Sequence, residues 1–266
     1  MLTLCAKSSR LFPYLTISRF STSEELAFLA TPNNCYDLIM VLDGEVGLTT
    51  ARSNVQLRSA VLVGMSPDCM RFSFARSTVG LHFRLGPHQL RHFVEETPLR
   101  ALAQCPVEIG DVWGSRTAHL CEKVAAVGGL EAQVRVVEDF LVGLHRTCDT
   151  RASRYVTALA ETDSADFSVK KLQQSLDLSE RQLQRFFAEQ VGTSPQAYAK
   201  IRRFQRVVAR YVQQRQAATL SLLPLALEEG YYDQAHFIRD CKQLTGRTPT
   251  TYFANMDAYL SGSYNT

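Results

Sequence analysis

The sequence predicts an α+β chain of two domains. A β-rich sandwich or small barrel with flanking helices is expected over residues 1–150, and an all-α domain over residues 151–258. Three observations carry this expectation. Short β-branched and aromatic runs fill the first third of the chain, and helical periodicity replaces them afterwards. One stretch near the C-terminus occurs twice, 54 positions apart, without a gap. Charge is divided unevenly: Ser168–Phe253 holds thirteen Lys/Arg against seven Asp/Glu, whereas Met1–Phe167 holds sixteen against eighteen. At 266 residues the chain is long enough for each half to bury a core.

In the first half, strands are expected at Tyr14–Phe20, Tyr36–Leu42, Glu45–Thr50, Ala60–Gly64, Arg71–Phe74 and Val79–Leu85. Their spacing suits a sandwich or small barrel. Asp43-Gly44, between two apolar runs, predicts a type I′ hairpin, whose central residues both need positive φ. From Pro87 the period lengthens. Leu90, Phe93 and Val94 fall on one helical face, Asp111–Gly114 reads as a turn, and Ala118–Val127 and Leu130–Leu144 read as amphipathic helices. The stripe Val134, Val137, Leu141 and Leu144 suits either packing onto the chain's own barrel or a homodimer interface through residues 115–148. Periodicity does not separate the two. His82, His88 and His92 are the natural metal candidates, with His88 and His92 one helical turn apart. No acidic third ligand accompanies them, so neither a metal site nor a cofactor is expected. Residues 147–166, with a short helical piece at 154–160, read as an interdomain hinge.

The duplicated stretch sets Ser179–Tyr198 on Asp233–Tyr252. Leu183 then matches Phe237, Arg185 Arg239, Gly192 Gly246 and Pro195 Pro249. Each copy opens on a helix-capping residue, and Gln182 completes a capping box with Ser179. Each ends on a glycine suited to the left-handed position after a helix, followed by Ser-Pro or Thr-Pro as the start of the next. Two helix-turn-helix units result. Val169–Ser175 leads into recognition helix 179–190, and Leu222–Glu228 leads into recognition helix 233–244. Between them Pro195–Gln214 is one unbroken helical pattern, about 30 Å long at ~1.5 Å per residue.

Leu225–Tyr252 resembles the C-terminal signature of AraC/XylS-type transcriptional regulators. Ala226, Gly230-Tyr231, Asp233-Gln234-Ala235-His236-Phe237, Arg239, Lys242, Gly246, Pro249 and Tyr252 all match it. Cys241 stands where the family usually places Phe, which implies a smaller buried side chain. Ser168–Tyr198 matches the first half of the same domain. The resemblance implies a cupin-like N-terminal barrel that senses a small-molecule effector or dimerises. It also implies double-stranded promoter DNA and, for an activator, RNA polymerase as partners. Val79–Gly86 with Pro87, and the aspartate before Trp113-Gly114, resemble the sensor domain of one subgroup more weakly.

Residues at the start of a recognition helix meet base edges. The expected readers are therefore Arg181, Gln184 and Arg185 in the first helix, and Gln234, His236 and Arg239 in the second. Arg spans guanine O6 and N7 with two donors, and Gln does the same for adenine. Arg202, Arg203, Arg206 and Arg210 lie along the connecting helix, on a solvated face or near phosphates.

The remaining features set limits. No apolar run approaches the ~18 residues of a membrane span. Leu2–Cys5 imitates a lipoprotein box without the leader such a box needs. Seven scattered Cys, none in C-x-x-C spacing, suit reduced thiols in a cytoplasmic protein. The competing reading is a cupin metalloenzyme or an alkyltransferase fused to a DNA-binding module. Metal-binding cupins use a His-x-His pair that is absent here, and Cys105-Pro106 runs opposite to a Pro-Cys-His nucleophile motif. No catalytic residue is therefore expected.

Overall fold

A computed structural model describes residues 2–8, 16–50, 53–57, 59–65, 69–94, 98–103, 106–145, 168–214 and 221–256. Its N-terminal part is built on two antiparallel sheets. The larger contains β1 (Leu2–Ser8), β2 (Thr16–Thr22), β4 (Tyr36–Asp43), β7 (Ala60–Val63), β9 (Val79–Leu85) and β10 (Val107–Glu108), in the order β1-β2-β9-β4-β7-β10. The smaller contains β3 (Leu26–Ala30), β5 (Val46–Thr49), β6 (Asn54–Leu57) and β8 (Met70–Phe74), in the order β3-β8-β5-β6.

The larger sheet is covered on both faces. Tyr36, Leu38 and Met40 of β4 point toward a helical layer, while Ile39 and Val41 point toward the smaller sheet. Covering both faces removes the usual alternation, which is why β4 and β7 read as continuous apolar runs. Between the sheets Phe28 stacks on Phe72 and Phe74 at 5.7 and 5.6 Å, and Phe20 meets Phe74 edge-on at 5.5 Å. The helical layer comprises α1 (Pro87–Leu90), α2 (Leu99–Leu102), α3 (Ile109–Trp113), a 3₁₀ turn (Gly114–Thr117), α4 (Leu120–Ala126) and α5 (Leu130–Leu144).

The helical C-terminal part follows. It comprises α6 (Val169–Ser175), α7 (Glu180–Phe186), a π turn (Phe187–Val191), α8 (Pro195–Gln214), α9 (Leu222–Glu228), α10 (Gln234–Thr245) and α11 (Pro249–Ala254). The α+β class and the two-sheet-plus-helices architecture agree with the sequence reading.

Several expectations need correction. Strands β1, β3, β6 and β10 are not among the predicted runs. Asp43-Gly44 is not a hairpin turn, because β4 and β5 lie in different sheets. Gly44 does adopt φ +81°, but Asp43 is not among the positive-φ residues, so the pair forms a corner between sheets. A Cβ on Gly44 would fall 2.6 Å from the Thr78 hydroxyl. Asp111–Trp113 is helical, and only Gly114 (φ +63°) makes the expected turn. The stripe Val134, Val137, Leu141 and Leu144 is buried in the chain's own core, so it is not a dimer surface. Residues 147–166, including the expected helix at 154–160, lie outside the described residues, as do Tyr14 and the side chain of His88.

The two halves do not own separate cores. One buried cluster runs from Ile17, Tyr36 and Phe83 through Leu90 and Leu99 to Leu172, Leu183, Phe187, Val191 and Tyr198. A second cluster, from Ile201 to Met256, belongs to the last helices.

Two of the candidate metal ligands have protein partners. His82 Nε2 lies 2.8 Å from Asp37 Oδ1, and His92 stacks on His145. Arg84 Nε donates to the same Asp37 oxygen at 3.0 Å. Burial pushes the Asp37 carboxyl up, but Arg84 and His82 outweigh it and hold the group well below the usual carboxylate range. Its stabilising contribution is therefore full above about pH 4 and fades as the pH falls below that. Asp37→Asn should lower unfolding stability at pH 7 by about 3 kcal/mol, because the Arg84 guanidinium loses its counter-charge. In urea denaturation the gap to the unsubstituted protein should narrow below about pH 4.

Candidate nucleic-acid interface

The first unit starts with two capped helices. Ser168 accepts from Lys171 N to cap α6, and Asp177 turns the chain at φ +51°. Ser179 and Gln182 then form the expected capping box at the start of α7. Leu183, Phe186 and Phe187 are buried. Their burial fixes the rotation of α7, leaving Arg181 and Arg185 exposed. Gln184, between them, is half-buried and donates to Gln196 Oε1 at 3.1 Å. The recognition helix does not run as α-helix to residue 190. After Phe186 it widens into a π turn closed by Gly192 N to Phe187 O at 2.8 Å.

The second unit repeats this with one difference. Asp233 caps α10 by accepting from His236 N at 2.7 Å. Phe237, Cys241 and Leu244 are buried, and Gln234 and Arg239 are exposed. Here the helix stays α-helical to Thr245 and ends on Gly246 at φ +70°. Thr248 and Pro249 start α11 as expected. Cys241 is fully buried, as its position in the signature implied.

His236 is held within the protein. Its Nε2 lies 3.3 Å from Arg203 Nη2 and 3.5 Å from Asp240 Oδ2, and its ring meets Tyr231 edge-on at 5.0 Å. The structure thus leaves Arg181 in the first turn and Arg185 in the last turn of α7 exposed, and Gln234 at the start and Arg239 in the middle of α10. Gln184 and His236 stand half-buried beside them.

The connector α8 has the predicted limits, and it presents Tyr198, Ile201, Phe204, Val207 and Val208 inward. Its arginines are half-buried and engaged with partners inside the protein. Arg203 Nη2 donates to Asp240 Oδ2 at 3.2 Å and its guanidinium lies 4.6 Å from the centre of the Tyr231 ring. Arg206 and Arg210 both pair with Glu229, and Arg210 also with Glu228 at 2.6 Å. Arg202 lies over Tyr198. Asp240 and Glu229 are acceptors supplied by other helices, so spacing within α8 gives no sign of them.

Sequence reasoning also missed Tyr232, which is 88% exposed just before the Asp233 cap. It missed the contacts made by the N-terminal part as well. Arg91 Nη2 donates to Glu189 O at 2.6 Å, and Asn34 Nδ2 to Tyr198 O at 2.9 Å. The Tyr36 hydroxyl lies 3.0 Å from Leu99 O and 3.2 Å from Val191 O. Burial pushes the Tyr36 hydroxyl pKa far up despite nearby Arg91, so it stays a donor. The only local sign of this seam is Gly192, whose role as a helix end already explains it.

A cleft of about 360 Å³ lies on the helical layer, with Leu120, Val136 and Phe140 as its floor and Arg116, Lys123 and Asp139 at its rim.

Residues 172–255 match the family model described as a helix-turn-helix domain. Among solved structures, ToxT from Vibrio cholerae aligns with 90% of this chain and 97% of its own at 13% identity and TM-score 0.46. A cupin superfamily protein from Desulfitobacterium hafniense aligns with 32% of this chain and 78% of its own at 16% identity and TM-score 0.28. No curated protein sequence matches the chain. No helix among the described residues is long and apolar enough to cross a membrane.

The pairing around Asp240 yields a prediction about the second unit. Arg203→Met keeps the apolar stem but removes a counter-charge from a carboxylate that is 4% exposed. The cost should be about 3 kcal/mol. Hydrogen exchange should show it as faster exchange in α10, with smaller change in β4 and β9.

Proposed function

We propose that this chain, whose residues 172–255 form a helix-turn-helix domain of AraC/XylS type, is a sequence-specific DNA-binding transcriptional regulator. One observation carries the reading: two capped helices bearing exposed Arg and Gln flank a single 20-residue helix. That helix spans about 30 Å. Successive major grooves on one face of B-DNA lie ~34 Å apart. In this reading α7 and α10 enter adjacent grooves of one site. Arg181 and Arg185 read one end, and Gln234 and Arg239 the other. Gln184 and His236 act from behind, through Gln196 and through Arg203 with Asp240.

Promoter DNA is the partner and the cytoplasm the place of action. RNA polymerase is engaged downstream of binding. The N-terminal domain carries the effector response. The cleft between the 3₁₀ turn, α4 and α5 has the size of a small-ligand site. Its apolar residues Leu120, Val136 and Phe140, with Arg116 and Lys123 against the single carboxylate of Asp139, suit a small apolar carboxylate. A thermal-shift screen of short aromatic and aliphatic acids should find stabilising compounds whose effect Arg116→Ala weakens. No stabilisation by any of them would remove the cleft from the reading.

The test of DNA reading is a pair of substitutions. Arg185→Ala and Arg239→Ala should each weaken binding to a selected site by about 1–3 kcal/mol and relax base preference at opposite ends of it. A phosphate contact would instead weaken all sequences alike and lower the salt slope by about one unit. Competitive gel-shift against single-base variants distinguishes these outcomes. Unchanged binding by both variants would sink the reading.

A further inference from the structure

The duplication gives this protein an internal comparison. Gly192 and Gly246 hold equivalent places after the two recognition helices, and both take positive φ. Around Gly246 a Cβ would meet nothing within 4 Å. At Gly192 it would fall 2.1 Å from the Tyr36 hydroxyl and 3.0 Å from Leu99 O. The helix before Gly246 is α-helical throughout, whereas the helix before Gly192 ends in a π turn. The unit that widens is the unit pressed against the N-terminal domain.

The end of a helix leaves carbonyls without partners inside the helix. Of the first recognition helix, Glu189 O receives Arg91 and Val191 O receives the Tyr36 hydroxyl. Asn34 adds a bond to Tyr198 O at the start of the connector. All three donors come from the N-terminal domain, from β4 and the loops beside β4 and α1. They grip the π turn that ends the helix, while Arg181 and Arg185, on the α-helical part just before it, stay exposed. The single Tyr36 hydroxyl proton is shared between Leu99 O at 3.0 Å and Val191 O at 3.2 Å, a three-centre bond that links β4, α2 and the π turn.

We infer that Tyr36 and Arg91 are positioning residues for DNA reading, acting on the first recognition helix and not on the second. The inference rests on the DNA-reading function proposed above. The N-terminal domain is then part of the reader for one half of the site. A change in that domain that moves β4 or α1 against the π turn alters affinity at that half alone.

The test uses the full chain and a DNA site that it protects. Tyr36→Phe keeps the ring and removes only the hydroxyl. It should lower affinity about tenfold, the effect of one hydrogen bond's worth of misplacement. Hydroxyl-radical footprinting should show protection lost over the half read by α7 and retained over the half read by α10. Arg91→Ala should give the same pattern. In double-substitution cycles, Tyr36→Phe should be less than additive with Arg185→Ala and additive with Arg239→Ala. The melting temperature should fall by only about 2–4 °C. Wild-type affinity and footprint in both variants would overturn the inference, as would equal loss over both halves. Either result leaves the DNA-reading proposal standing if Arg185→Ala and Arg239→Ala still weaken binding. Failure of those two would instead remove DNA reading itself, and this inference with it.

Discussion

The rest of the C-terminal architecture depends on the burial of one face of α8. Tyr198, near its start, sits in the cluster shared with the N-terminal domain, while Ile201, Phe204, Val207 and Val208 sit in the cluster of the last helices. Burying five such side chains is worth on the order of 10 kcal/mol. Bending or sliding the helix would expose them. Both recognition helices are packed on this one rod, the first through Gln196 and Tyr198 and the second through Lys200 and Arg203, so their relative placement is a property of packing.

Charge follows the same plan. The basic excess of the C-terminal half is not spread over an undifferentiated face. Arg203, Arg206 and Arg210 are paired with Asp240, Glu228 and Glu229, and they bolt α8 to α9 and α10. Arg181, Arg185 and Arg239 stand exposed on the recognition helices instead. Part of the exposed positive charge therefore lies on the recognition helices, beside Lys170, Lys171, Lys242 and Arg247 of the same half. The two units differ in their support. The second is braced by α8 through an ionic network, and the first is braced by both α8 and the N-terminal domain.

Much of this was legible in the sequence because it is local. Capping boxes, glycine helix ends and proline helix starts are written within a few residues, so α6, α8 and α9 have the limits that Val169, Pro195 and Leu222 announced. The repeat exposed both recognition helices before any packing was known. What escaped the sequence reading depends on partners far along the chain. Asp43-Gly44 looked like a hairpin because its two flanking runs are apolar, yet those strands pair with others and lie in different sheets. β3 and β6 are edge or half-covered strands with weak alternation. The fates of His236 and of the α8 arginines were set by Asp240 and Glu229, whose approach no spacing records. The seam at Tyr36 left only Gly192 as a trace. Its mirror at Gly246 is a glycine for the ordinary reason, so the sequence alone gave no contrast between the two.

Two helices of one chain are proposed to read one DNA site in adjacent grooves. Selecting duplexes bound by the intact protein from a random pool tests this proposal most directly. The expected product is an asymmetric motif with two blocks of preferred bases about ten base pairs apart, the separation of adjacent grooves. A single block of preference, or enrichment of no sequence at all, would contradict it.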